Sequence, residues 1–501
     1  MTQTANFKVA LVTPPSIFLL DQRVFPNLGI LKVASCLEAE GYSVDLLDFS
    51  GIENYLDALR DYLNSHQLKA IGITVTTPQM PSAGRIIQTI RETQPDLKII
   101  MGGPHVTLVA SAWKLEKKAN RVGRGHHAFE HLKTLVDILV AGDGERAIIS
   151  ALQDDSDWFV DGDEPSLGLF MSKDDYEKTP WPARHLIDLK SYRYHIEGHK
   201  STSLIAQLGC PFHCGFCGGR HSKSLRNIRT RSSESIISEI EFLHKEYGYT
   251  GFMFYDDELN VNKKMVELMQ QTTKLQKKYN TEFRLRGFVK AELFTQEQAD
   301  AMFEAGFRWL LSGFESGSPR ILTNIEKRAT QEDNTNAIEI AKKAGLKVKA
   351  LMSVGHPGES AQTITDTKNW LLKVKPDDFD CTVITTYPGT PYYDLALPHE
   401  SREGIYTFTS PKTGDRLHSH DLDYTKVEDY YKGDPKGGYR AYVYTDHLKE
   451  EEIVKLRDEV EETVRKELCI PFNPGSDSVQ YEHSMGMGKG LPDFILRSSS
   501  S

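Results

Sequence analysis

Short apolar runs alternate with amphipathic stretches over the first 150 residues. KVALVTPP (8–15), YSVDLLDFS (42–50), KAIGITVTT (69–77), LKIIMGGPH (97–105) and ILVAGDGE (138–145) read as strands that end in turns. LGILKVASCLEAEG (28–41), YLDALRDYLNSH (55–66) and SAGRIIQTIRETQP (82–95) carry helical spacing between them, the first closed by Gly41. This β-α-β-α rhythm predicts a doubly wound, Rossmann-like parallel sheet over 1–150, with ligands at the carboxyl ends of its strands. Those ends hold Thr74, Thr76, Gly102, Gly103, His105, Gly142, Gly144 and Glu145. They do not form GxGxxG, so a dinucleotide fingerprint is absent.

Residues 151–200 are polar, with Pro180 and Pro182 around Trp181, and read as a linker. GRGHHAFEH (123–131) reads as a solvated polar turn. The strand-helix rhythm restarts near 201. STSLIAQLG (201–209), YTGFMFYDDE (249–258), EFRLRGFV (282–289), RWLLSGFES (308–316), KVKALMSVG (347–355) and DCTVITTYPG (380–389) are its strands. Six units are too few for an eight-unit barrel, so a partial (β/α)6 barrel is expected over 201–395. The region 396–501 is expected to be mainly helical or irregular, with one helix over 445–468. Its Tyr430, Tyr431, Tyr439, Tyr442 and Tyr444 are candidates to line a substrate pocket or a surface loop.

The 501 residues allow two or three domains. Apolar content of 39% and charged content of 26% are those of a globular chain, and the net charge of -10 argues against a nucleic-acid partner. The N-terminus lacks a signal-peptide pattern, and no run reaches the roughly eighteen apolar residues of a membrane span. A cytoplasmic protein without a membrane partner is expected. In a reducing compartment, clustered cysteines suggest metal or catalysis before disulfides.

Three of the six cysteines crowd into GCPFHCGFCGGR (209–220): Cys210, Cys214 and Cys217, spaced CxxxCxxC. A zinc ribbon would need a second CxxC pair, which does not exist here. Cys36 falls in an apolar helix and reads as core. Three thiolates can hold three irons of a four-iron cluster and leave the fourth open. Here the sequence resembles the radical S-adenosylmethionine (SAM) enzymes, whose signature is CxxxCxxC after the first barrel strand. The resemblance continues through Tyr255–Leu259, Arg286, Gly313–Gly317, Gly355–Glu359 and Tyr387–Pro391, in family order. It implies an Fe4S4 cluster on Cys210, Cys214 and Cys217, with SAM held near Gly219, Asp257, Arg286, Glu315 and Ser316.

The first 150 residues resemble the cobalamin-binding domain attached to one branch of that family. This implies a cobalamin site at Thr74, Thr76, Gly102, Gly103, His105, Gly142, Gly144 and Glu145. The DxHxxG motif that brings histidine to cobalt is missing, which leaves the lower-face residue open between the loops after 15 and after 77. The resemblance implies a methyltransferase acting on an unactivated carbon or a phosphinate phosphorus. Its partners would be a small-molecule or peptide substrate and an external electron donor such as flavodoxin or ferredoxin. A cyclase or oxidative rearrangement enzyme is the alternative, with an Fe–S tRNA-modifying enzyme and a non-catalytic cobalamin carrier behind it.

Overall fold

The computed structural model describes residues 8–16, 22–427 and 440–471. β1 (Lys8–Thr13), β2 (Ser43–Asp48), β3 (Ala70–Thr74), β4 (Lys98–Gly102), β5 (Ile138–Gly142) and β6 (Phe159–Gly162) form one sheet in the order β2-β1-β3-β4-β5-β6. Every pairing in it is parallel. Its central strands are apolar because helices cover both faces. The chain reverses direction across the sheet between β1 and β3, which opens a crevice at their carboxyl ends. The helix Leu28–Ala39 begins there, its amide at Ile30 capped by the Asn27 side chain at 3.2 Å.

Between residues 123 and 200, two stretches differ from the sequence reading. Residues 151–200 are not only a linker: they supply β6, a sixth strand whose FVDG sequence lacks an apolar run long enough to announce it. They then run across both domains, where Arg184 is buried against Glu239 and donates to the carbonyl of Ser203 at 2.7 Å. GRGHHAFEH opens a helix, Arg124–Leu135, rather than a solvated turn, with Arg124 and Phe129 buried. Apolar Phe129 and Leu132 at helical spacing were outweighed by the surrounding histidines.

The second sheet runs in the order β15-β14-β13-β12-β11-β8-β7. β7 (His195–Ile196) and β8 (His199–Leu204) form an antiparallel hairpin at one edge. β8 also starts the parallel series β11 (Gly251–Phe254), β12 (Arg284–Phe288), β13 (Phe307–Glu315), β14 (Lys347–Val354) and β15 (Asp378–Val383). This is the expected six-strand partial barrel. The first strand does not run straight into the cysteines. It breaks after Leu204, and β9 (Gln207–Leu208) pairs antiparallel with β10 (Arg229–Thr230) instead.

An open barrel leaves an edge strand with unpaired backbone groups. Here the helix Glu450–Leu468 covers β15. Arg457 donates to the Cys381 carbonyl at 2.6 Å, Glu461 accepts from the Cys381 amide at 2.7 Å, and Arg465 donates to the Phe379 carbonyl at 2.5 Å. Positions 457, 461 and 465 share one helix face, so three side chains stand in for a neighbouring strand. The region after 395 also contains an antiparallel sheet that the sequence reading lacks: β16 (Leu397–Pro398), β17 (Ile405–Thr409), β18 (Arg416–His420) and β19 (Val443–Thr445). Short strands rich in Thr, His and Ser hide the alternation that would mark them. Tyr430, Tyr431 and Tyr439 lie outside the described residues; Tyr442 and Tyr444 flank or form β19.

Candidate active site

The cysteine loop starts at Gly209, whose φ is +86° and where a Cβ would lie 2.1 Å from the Asn227 carbonyl oxygen. Only glycine fits that approach. The amide of Cys210 donates to Leu225, that of Cys217 to Cys214, that of Gly215 to Ile325 and that of Gly219 to Gly389, all at 2.8–3.2 Å. Arg226 clasps the turn through the carbonyls of Pro211 and Phe212. The backbone is therefore fixed by hydrogen bonds within the protein.

Burial pushes the Cys210 thiol up to about 11 and the Cys217 thiol up to about 12, with neighbouring cysteines adding to both. Burial also raises Cys214, while the charges of Lys327 and Lys290 oppose it. Among the described residues no three His, Cys, Asp or Glu side chains form a ready metal cage. The donor chemistry nonetheless fits an iron–sulfur cluster: three soft thiols on one fixed loop, with buried cations to balance thiolates.

Those cations belong to a buried polar chain. Glu315 ends β13 with φ +64°, an uncommon conformation for a residue with a side chain. Its carboxylate takes hydrogen bonds from Lys327 Nζ and Ser353 Oγ, each at 2.9 Å. Ser353 Oγ lies 2.8 Å from His356 Nε2, and Tyr392 Oη lies 3.4 Å from His356 Nδ1. Tyr392 returns to the cysteine loop, where a Cβ on Gly215 would come within 2.6 Å of its ring. Burial holds His356 down to about 4, so its imidazole is neutral. Burial opposes charge on Glu315, but the Lys327 ammonium outweighs it and keeps the carboxyl below its ordinary value. Lys290 Nζ donates to the Lys327 carbonyl at 3.1 Å and stands 4.1 Å from the Phe212 ring centroid.

The predicted SAM residues are not equally placed. Asp257 lies on the wall of a cavity: it keeps accessible surface, yet protein around it raises its carboxyl by desolvation. Asp256 is buried, accepts from the Gln207 amide, and is raised to about 8 by burial. It does not cap a helix. Burial brings Glu258 up to about 7. Arg286 is buried on β12, 5.7 Å from the Trp309 ring centroid. Ser316 turns into the fold, its Oγ 3.0 Å from Thr367 Oγ1 and accepting from the Ser318 amide at 3.1 Å. Gly219 has φ +76° and packs on Leu225.

The cavity, about 450 Å³, has the front sheet's carboxyl edge as one wall: Thr74, Thr76, Gly102, Gly103, Gly142, Gly144 and Glu145. Leu208, Gly209 and Asp257 of the second domain form the facing wall. Leu11, Ile73, Ile100 and Val140 line its apolar depth. Thr76 has turned its hydroxyl and amide to Gln79. The glycines have a different duty from ligand approach alone. At Gly103 a Cβ would meet Val75 backbone at 2.8 Å, and at Gly142 it would meet the Asp163 amide nitrogen at 2.3 Å. They let adjacent strand ends close on each other.

His105 does not line this cavity. It is buried, with Nδ1 3.0 Å from Thr77 Oγ1, and borders a smaller cavity of about 210 Å³ with Arg124, Tyr393 and Asp421.

Several residues that join the domains escaped the sequence reading. Asp143 and Arg229 form a buried ion pair at 2.6 Å across the junction. Asp163 accepts from Ser222 and Ser224. Leu108 of the helix Pro104–Lys118 fills the space where a Cβ on Gly218 or Gly389 would stand, at 3.1 and 2.9 Å. Only Asp143 carried a signal, inside GDGE; its partner is distant in sequence. Lys290 and Lys327 lay outside every motif.

Residues 204–371 match the Radical SAM superfamily, and residues 22–133 match the B12 binding domain. An uncharacterized methyltransferase of Pyrococcus horikoshii is 28% identical over 397 residues, covering 78% of this chain and 83% of that one. The anaerobic magnesium-protoporphyrin IX monomethyl ester cyclase of Rubrivivax gelatinosus is 24% identical over 73% of this chain and 65% of its own. In fold, the chain is similar to the radical SAM methyltransferase TsrM from Kitasatospora setae, solved with cobalamin and a [4Fe-4S] cluster, at a TM-score of 0.64 and 18% identity over 81% of each chain. The cobalamin-dependent SAM radical enzyme OxsB gives 0.55 and 17% identity over 77% of this chain and 55% of that one. No helix among the described residues is long and apolar enough to cross a membrane. A B12-binding domain in front of a radical SAM domain makes this chain a cobalamin-dependent radical SAM enzyme, with an Fe4S4 cluster, SAM and cobalamin as its cofactors.

Proposed function

We infer that the chain is a methyltransferase that moves a methyl group onto an unactivated carbon, or a phosphinate phosphorus, of a small-molecule or peptide substrate. The observation that carries this reading is the shared cavity, with the proposed cobalamin residues on one wall and Gly209 and Asp257, beside the cysteine loop, on the other. When bound, the cluster with SAM supplies a 5′-deoxyadenosyl radical, and cobalamin supplies the methyl group.

The chain's own residues bind and orient. Cys210, Cys214 and Cys217 hold the cluster, and Lys327 and Lys290 offset its thiolate charge. Glu315, fixed by Lys327 and Ser353, presents a carboxylate to the ammonium or hydroxyls of SAM. Asp257 and Arg286 offer charge to the same ligand, while Ser316 and Gly219 shape the turns that carry it. Thr74, Thr76, Gly102, Gly103, Gly142, Gly144 and Glu145 face cobalamin, and His105 supports the helix start beside it. The Asp143–Arg229 pair keeps the two walls in register. The work of these residues is alignment of reactive centres rather than proton transfer. The electron comes from an external donor such as flavodoxin or ferredoxin.

Methyltransferase-named relatives support this reading, and cyclase-named relatives favour cyclisation as the second one. The test begins with iron, sulfide and cobalt per chain on anaerobically purified protein. Reduced protein is then incubated with SAM, and its products are measured. Formation of both 5′-deoxyadenosine and S-adenosylhomocysteine supports methyl transfer. 5′-Deoxyadenosine alone, with cobalt present, supports cyclisation or rearrangement.

A further inference from the structure

We propose that Arg220 is a charge-tuning residue of the iron–sulfur site: a guanidinium built to face the anionic cluster and raise its reduction potential. The inference rests on the cofactor reading above and adds a residue to it. Arg220 closes the GCPFHCGFCGGR segment and is 7% exposed. Its Nε and Nη2 are buried and have no hydrogen-bond partner among the described residues.

Four other buried arginines each hold a carboxylate. Arg23 holds Asp48, Arg184 and Arg231 hold Glu239, and Arg229 holds Asp143. No described carboxylate pairs with Arg220. A buried guanidinium without an acceptor is costly, and such a group in a native fold calls for a partner outside the protein atoms. An anion would satisfy both its charge and its N–H groups. The charge of Arg220 acts on the thiols of Cys214 and Cys217, and repels the neighbouring Arg226 and His213. Thiolate and sulfide sulfurs are anionic acceptors for a guanidinium.

The direction of the effect follows from charge. Reduction adds one electron to the cluster, so a fixed positive charge stabilises the reduced form more than the oxidised form. Lys327 and Lys290 work in the same sense near Cys214, but both are engaged already, with Glu315 and Glu292. Among the described residues, Arg220 is a buried cation beside the thiols with no carboxylate partner.

The test is a redox titration, followed by electron paramagnetic resonance, of the full-length chain reconstituted with iron and sulfide and without cobalamin. Wild type, R220M and R220K are compared after iron and sulfide analysis. Wild-type protein that does not take up four irons would overturn the cofactor reading itself. With the cluster present, R220M should be about tenfold less reduced at the wild-type midpoint, a shift of about 59 mV for one electron. R220K, which keeps the charge, should stay close to wild type. A loaded R220M with the wild-type midpoint overturns the proposal. Should R220M fail to load, R220K decides: normal loading and potential support the charge role, and equally poor loading overturns it.

Discussion

The carboxyl edge of β1–β6 and that of β8 and β11–β15 are built in opposite ways. The first is walled by glycines and aliphatic side chains, and works by what is left out: Gly103 and Gly142 let strand ends meet, and the slot reaches down to Leu11 and Ile100. The second is crowded with ionisable groups, from the three half-buried thiols through buried Lys327 and Glu315 to buried His356. Strand order explains part of the contrast. The front sheet reverses between β1 and β3, so a crevice exists before any side chain is placed. The second sheet adds strands in sequence and has no such switch point, so its binding site must be made by the side chains on its loops. A site made by topology tolerates bland residues; a site made by side chains does not.

Single substitutions can break this contrast. The largest effect is expected in the second domain. Cys214→Ala should abolish cluster uptake and all turnover, since two remaining thiols cannot hold three irons. Iron content is the measurement, and near-wild-type iron would refute the ligand assignment. In the front domain the severe change is the addition of a methyl group. Gly142→Ala puts a Cβ against the Asp163 backbone at a positive φ, and should destabilise by more than about 3 kcal/mol while also lowering cobalamin retention. Thermal unfolding and cobalt content check it; a variant with unchanged melting temperature would show that the strand ends can part freely.

The same contrast decided what the sequence revealed. Cys210, Cys214 and Cys217 stand out in the sequence by residue type at fixed spacing, whereas Glu315 and Gly355–Glu359 come in only through the family resemblance. The front sheet was legible as a rhythm of apolar runs, but not the close approach of neighbouring strand ends at Gly103 and Gly142, where a Cβ would meet backbone atoms of Val75 and Asp163. β6 and the sheet β16–β19 were hidden because each strand is only two to five residues long. Lys327, Arg229 and Leu108 act through partners distant in sequence or in another domain, which no local spacing encodes.

His105 sharpens the comparison at its weakest point, because it sits on the front edge yet behaves like a residue of the other. It is buried beside Thr77, and burial holds its imidazole down to about 4. An unfolded histidine titrates near its ordinary value of about 6.5. Between those values the unfolded chain binds a proton that the folded chain refuses, so this group erodes stability as pH falls from 6.5 toward 4 and contributes nothing above 6.5. His105→Gln keeps a hydrogen-bonding partner for Thr77 and removes the titration. The melting temperature of the variant, measured against wild type, should therefore rise progressively as pH falls below 6.5, equivalent to about 2 kcal/mol at pH 5, and stay level from 6.5 to 8. A difference that does not change between pH 7 and 5 would mean that the imidazole is protonated in the fold, and that the cavity beside Arg124 is wetter than its walls imply.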